Sequence, residues 1–180
     1  MRPVFYATGC IDAIAVRPNL LRASDLSFTT FRNRIPMSLE TLELNPAVAR
    51  SLATWHDLVT RRDFGTLDAI VHPQASFRSP MAFKAYSPAP ALLMVLRTVI
   101  TIFEDFEYHR QFASADGLNV VLEFSAAVQG RQLKGIDMIR FDEQGLIVEF
   151  EVMIRPFNAL EALGREMGAR LGQFMPQFKG

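Results

Sequence analysis

Apolar and polar positions alternate most regularly from Gly135 to Pro156, and two β-type runs there flank the polar segment Asp142-Glu143-Gln144-Gly145. A short polar segment closed by Gly between such runs predicts a β-hairpin. In the second run Val148, Phe150, Val152 and Ile154 hold the interior parity, while Ile147, Glu149, Glu151, Met153 and Arg155 take the other parity or its boundary. Successive strand residues point to opposite faces, so the second run buries one face only. In the first run Ile139 and Phe141 share the interior parity, and so does Asp137. A carboxylate on an apolar wall costs several kcal/mol, roughly, unless it is paired, hydrogen-bonded or protonated. Asp137 is therefore the candidate for chemistry.

Upstream, Asn45-Pro46 opens a helix: the Asn side chain caps a free N–H and Pro has none to lose. Val48, Leu52, Trp55 and Val59 follow as one apolar stripe, and Arg61-Arg62-Asp63 closes it. A second, short helix is expected over Thr66 to Val71, ahead of His72-Pro73, and a short strand over Ala75 to Met81, broken at Ser79-Pro80. Ser87-Pro88 repeats the cap-and-proline device before a long helix carrying Leu92, Leu93, Leu96, Val99, Ile100 and Phe103. Strand patterning then runs over Phe106 to Ala113 and Leu118 to Val128, separated by Ala115-Asp116-Gly117, with Gln129-Gly130-Arg131 turning into the final hairpin. Phe157 to Phe174 returns to helical spacing, weakened by Gly164, Gly168 and Gly172, and Pro176 ends it. Three helices, then four consecutive antiparallel strands and a C-terminal helix make an α+β order.

The 180 residues and 49% hydrophobic content suit one globular domain. Residues 1–36 are punctuated by Arg2-Pro3, Arg17-Pro18 and Ile35-Pro36 without a sustained period, so they read as a disordered tail or as residues upstream of a start at Met37. The domain is then 37–180, with its core at 45–156 and the last helix at 157–175. With 19 basic and 19 acidic residues there is no field to hold nucleic acid or an anionic membrane. A single cysteine, Cys10, gives no disulfide framework and points to a reducing, cytoplasmic setting. His56, His72 and His109 stand in three different elements without ligand spacing, which argues against a metal, and the chain has no Gly-rich phosphate loop. No cofactor is expected.

The order of elements over residues 45–156 resembles the nuclear transport factor 2-like superfamily, in its SnoaL-like and ketosteroid isomerase-like branches. The most specific part is Gly130-Arg131 followed by Ile136-Asp137-x-x-Arg140-Phe141-x-x-x-Gly145-x-Ile147-Val148, supported by Trp55 through Ser79-Pro80. The resemblance implies a curved antiparallel sheet wrapped around the long helix as a cone, a cavity inside, and a homodimer through the outer sheet face. It also implies that Asp137 matches a carboxylic acid kept neutral by its apolar site so that it can donate a hydrogen bond. The family's general-base Asp is matched by Ser79 and its second oxyanion donor, a Tyr on the first helix, by Trp55. These departures remove the isomerase chemistry as known for that family.

Two functions follow as expectations. One is a cofactor-free isomerase, dehydratase or cyclase acting on a small apolar molecule, with Asp137 as acid or hydrogen-bond donor. Its pocket is expected from Trp55, His56, Ser79, Tyr86, Ile139, Phe141, Phe150, Val152 and Ile154. The other is a non-catalytic binding or assembly module of the same fold. A second titratable side chain within hydrogen-bond reach of the space in front of Asp137 favours the first.

Overall fold

The computed structural model describes residues 44–172 and Phe174. The expected tail at 1–36 and the stop at Pro176 lie outside them. In chain order come α1 (Pro46–Arg61), a single 3-10 turn (Leu67–Ile70), β1 (Val71–Arg78), α2 (Ala89–Val99), β2 (Glu104–Ala113), β3 (Asn119–Val128), β4 (Arg131–Phe141), β5 (Ile147–Arg155) and α3 (Phe157–Leu171).

The fold is α+β, with one curved five-stranded sheet in the order β1-β5-β4-β3-β2. Strands β2 to β5 form the expected antiparallel meander. The sheet as a whole is mixed, because β1 adds to β5 in parallel. The expected strand at 75–81 is displaced to 71–78, so His72-Pro73 lies inside it and not before it. Proline is tolerated there for a physical reason: β1 is an edge strand, and its ladder to β5 is interrupted between Val71 and Ser76, where no donor is needed from Pro73.

The Asn45 side chain accepts from Ala47 N–H at 2.8 Å, as the sequence predicts for a cap. The second helix is reduced to the 3-10 turn, and Val71 already belongs to the sheet. Ser87 does not cap α2, whose cap position is Pro88 without a side-chain hydrogen bond. With 11 residues α2 is shorter than the 16-residue α1. Arg62, at φ 54°, ends α1 and its guanidinium donates to the carbonyls of Ile100 and Phe103, tying the end of α1 to the end of α2.

Ile147 corrects the parity of the last strand. Arg140 pairs with Glu149 but Phe141 pairs with Ile147, so Val148 is an extra residue and the strand carries a bulge. The bulge turns Ile147 inward, fully buried, while Phe150 keeps its expected inward place. Gly145, at φ 84°, brings the β4–β5 turn against the first turn of α1, where a Cβ would stand 2.6 Å from the Ala47 carbonyl oxygen.

Two hydrophobic clusters fill the concave side. One joins α1, α2 and β1 to the sheet through Leu52, Trp55, Leu92, Leu96 and Phe150. The other packs Ala159, Ala162 and Leu163 of α3 against Phe103, Phe124 and Leu133. Leu171, at the far end of α3, belongs to the first cluster, so the helix spans from one to the other. Among the described residues no helix is long and apolar enough to cross a membrane.

Candidate functional site

Between the two clusters lies a cavity of about 320 Å³, at the small end of the range for organic ligands, ~300–1,000 Å³. Its walls are mostly apolar: Trp55, Phe64, Phe77, Phe106, Phe124 and Phe150 supply rings, and α2 and α3 supply aliphatic groups. Gly135 of β4 makes room for one of these rings, since a Cβ there would lie 2.4 Å from the Phe124 ring. Asp137 is the one carboxylate among the described lining residues.

Asp137 is 5% exposed and is the one buried charged or polar side chain among the described residues. Burial pushes its pKa up to about 7, and a hydrogen bond from Tyr108 acts in the opposite direction. The Tyr108 hydroxyl donates to Asp137 Oδ2 at 2.7 Å, and Trp55 Nε1–H donates to the Tyr108 oxygen at 2.9 Å. A phenol has one proton, and here it is committed to Asp137. Tyr108 therefore positions the carboxyl. Its own pKa is raised well above normal, first by burial, then by the Asp137 charge and the hydrogen bond to it, so the proton stays on Tyr108.

Asp137 Oδ1 has no hydrogen-bond partner among the described residues, yet none of their buried side-chain polar atoms is left unsatisfied. Oδ1 thus keeps accessible surface, and the space that Asp137 borders is the cavity. With Oδ2 held by Tyr108, the protonated acid can present Oδ1–H to an acceptor in the cavity.

Of the residues singled out in the sequence, Trp55, Ser79, Tyr86, Asp137, Phe150, Val152 and Ile154 come together on the cavity wall. His56, Ile139 and Phe141 do not. His56 sits one residue past the inward stripe of α1, with its ring edge-on to Tyr108 at 5.4 Å. Ile139 and Phe141 face inward but lie within the packed core, 1% and 2% exposed. The Ser79 hydroxyl accepts from Met81 N–H at 3.1 Å, closing the turn after β1. Tyr86 is held by a two-way backbone bridge to Phe77, both bonds 2.8 Å.

Tyr108 is the cavity residue, bonded to Asp137, that sequence reasoning misses. It pairs with Phe124, which pairs with Gly135, placing it on the inner face two strands from Asp137. The available signal was the spacing Phe106-x-Tyr108, which puts both rings on one parity. Among the described residues no three His, Cys, Asp or Glu side chains are grouped to hold a metal ion.

The SnoaL-like domain family matches residues 52–150. A solved structure of a steroid delta-isomerase from Pseudomonas aeruginosa is 59% identical, with TM-score 0.71 over 74% of this chain and 97% of that one. An uncharacterised bacterial protein with a cystatin-like fold, from Silicibacter pomeroyi, is 26% identical with TM-score 0.68 over 75% and 98% of the two chains. The epoxide hydrolase/cyclase-like enzyme SalBIII of salinomycin pyran-ring formation shares the fold, at 16% identity and TM-score 0.51 over 62% and 92%. No curated protein matches the chain.

Proposed function

The chain belongs to the SnoaL-like family of the nuclear transport factor 2-like superfamily, and on that footing we propose that it is a cofactor-independent enzyme moving a proton on a small apolar carbonyl compound. The sheet, curled as a cone, encloses the substrate. Asp137 is the hydrogen-bond donor, from Oδ1 to the carbonyl oxygen as negative charge develops there, while a solvent water takes the proton from the carbon beside the carbonyl and returns it at the far end of the double bond. Tyr108 holds the carboxyl in place, and Trp55 holds Tyr108. The observation that carries this reading is a buried carboxyl with a pKa near 7 whose one free oxygen opens on an apolar cavity. A donor with a pKa close to the working pH combines a useful protonated fraction with a real driving force for transfer. The 59% identity to a protein described as a steroid delta-isomerase supports a ring ketone as the substrate class and an isomerisation as the reaction.

A non-catalytic binding module is the second reading, and Ser79 favours it. That residue stands where the resemblance would put the general base, and its hydroxyl is already an acceptor for Met81. The test is to incubate the protein with a β,γ-unsaturated ring ketone such as androst-5-ene-3,17-dione and follow the ultraviolet absorbance of the conjugated product. Turnover that is lost in Asp137→Ala supports the enzyme. Binding without turnover supports the module. Turnover that Asp137→Ala leaves intact removes Asp137 from the chemistry.

A further inference from the structure

Tyr86 is held beside the edge strand β1 by its two-way backbone bridge to Phe77, both bonds 2.8 Å. Residues directly opposite each other in an antiparallel pair put their side chains on the same face. Phe77 points inward, 4% exposed, with its ring 6.5 Å from that of Phe150, so Tyr86 points inward too. Tyr86 is 8% exposed and lies on the cavity wall.

A buried phenol ordinarily finds a hydrogen-bond partner. The other polar side chains of this wall have theirs: Trp55, Tyr108 and Asp137 are bonded in series, and Ser79 accepts from Met81 N–H. The Tyr86 hydroxyl has none among the described residues, yet none of their buried side-chain polar atoms is left unsatisfied, so this oxygen keeps accessible surface. Carried inward on the concave side, it meets the cavity. Asp137 Oδ1 opens on the same space. Tyr86 bridges to β1, β1 adds to β5 and β5 to β4, so three strand spacings, roughly 14 Å along the sheet, separate the two backbones. The wall between them is apolar, made by Phe77, Phe150 and Val152.

We propose that Tyr86 is a specificity-determining residue of this cavity: its hydroxyl binds a second oxygen of the ligand, so that the site selects molecules with an apolar body and an oxygen group at each end. The inference rests on the cavity being the ligand site, and it adds the group that reads the end of the ligand remote from Asp137. A phenol hydroxyl both donates and accepts, so a hydroxyl or a carbonyl oxygen satisfies it. A ligand without that oxygen leaves the Tyr86 hydroxyl desolvated and unpaired, and a site with such a group discriminates against it.

The test compares 4-(4-hydroxyphenyl)cyclohexanone with 4-phenylcyclohexanone, two ketones of one shape that differ by an oxygen at the far end. Binding is followed by the fluorescence of Trp55, the one tryptophan in the chain. The wild type should prefer the hydroxyl-bearing probe, and Tyr86→Phe should cut that preference by roughly 5-fold, the usual scale for one neutral hydrogen bond. Because the hydroxyl bonds nothing among the described residues and the bridge to Phe77 uses backbone alone, Tyr86→Phe should melt with the wild type. A clear loss of melting temperature would show that the hydroxyl serves the fold instead, and overturns the proposal. An unchanged preference in a folded Tyr86→Phe, or a wild type that binds both probes equally, overturns the anchor while leaving the ligand site standing. A wild type that binds neither probe overturns the site and the anchor together.

Discussion

The Tyr108 hydroxyl and the Asp137 carboxyl, 2.7 Å apart, work against each other's tendencies: burial drives the acid toward its neutral form, and the hydrogen bond from Tyr108 draws it back. Removing that bond in Tyr108→Phe should raise the Asp137 pKa further above about 7. It should also cost about 1–3 kcal/mol, because Trp55 Nε1–H loses its acceptor. Carboxyl titration by NMR reads the first effect and urea unfolding the second. A pKa that falls in the variant would contradict this account of the pair.

Asp137 gives the folding equilibrium a pH dependence whose sign is fixed by the direction of its shift. The folded group titrates near 7 and the unfolded one near 3.8, so between those values the native state binds the extra proton. Its contribution is fully present below about 3.8, declines as pH rises, and is gone above about 7. At ~1.4 kcal/mol per unit the span is on the order of 4 kcal/mol. Asp137→Asn should remove this slope while leaving Tyr108 an oxygen to donate to. Urea unfolding of both proteins from pH 4.5 to 8 checks it, and parallel profiles would rule the assignment out.

Catalysis by Asp137 as a donor requires its protonated form. The rate constant kcat/KM on a β,γ-unsaturated ketone should therefore hold at acid pH and fall as pH rises through about 7. The opposite limb, a rate rising through the same pH, would identify Asp137 as a base instead.

Ser79→Asp should turn the weaker point of the site into a strength. The new carboxylate keeps an acceptor for Met81 N–H and adds a general base to the cavity wall. A gain of about 100-fold in isomerase rate is the expected order for a positioned base. No gain in a folded variant that still binds substrate would show that the base comes from elsewhere.

The outer sheet face bears Arg110–Glu123–Lys134 and Arg78–Glu149–Arg140 ion pairs, with Met153 half exposed among them. Such a mixed face suits a two-fold pairing of identical surfaces. Sedimentation velocity should give a dimer at micromolar concentration, and Met153→Lys should shift it to monomer. A wild-type monomer would exclude this pairing.

Asp137 was legible because a charged residue breaks an otherwise apolar parity, and that signal needs no partner to be seen. Tyr108 was not, since β2 is largely exposed and a tyrosine on such a strand passes for ordinary surface. Its role depends on Asp137 and Trp55, which lie 29 residues after it and 53 before it. The meander was readable from alternation and turn residues. The parallel attachment of β1 was not, because His72-Pro73 carries the local mark of a strand's end and only the edge position cancels it. Parity puts Ile139 and Phe141 on the inner face, but it cannot tell a packed core from a cavity wall.

Gly145 has a reach beyond its own turn. With the Ala47 carbonyl 2.6 Å from where a Cβ would stand, any side chain there must push the start of α1 away from the sheet. The same helix carries Trp55, two turns and more downstream, whose N–H fixes Tyr108 and through it Asp137. A hairpin tip that touches the start of α1 is thus linked through that helix to the Trp55–Tyr108–Asp137 chain, and a side chain at Gly145 would disturb that chain from a distance.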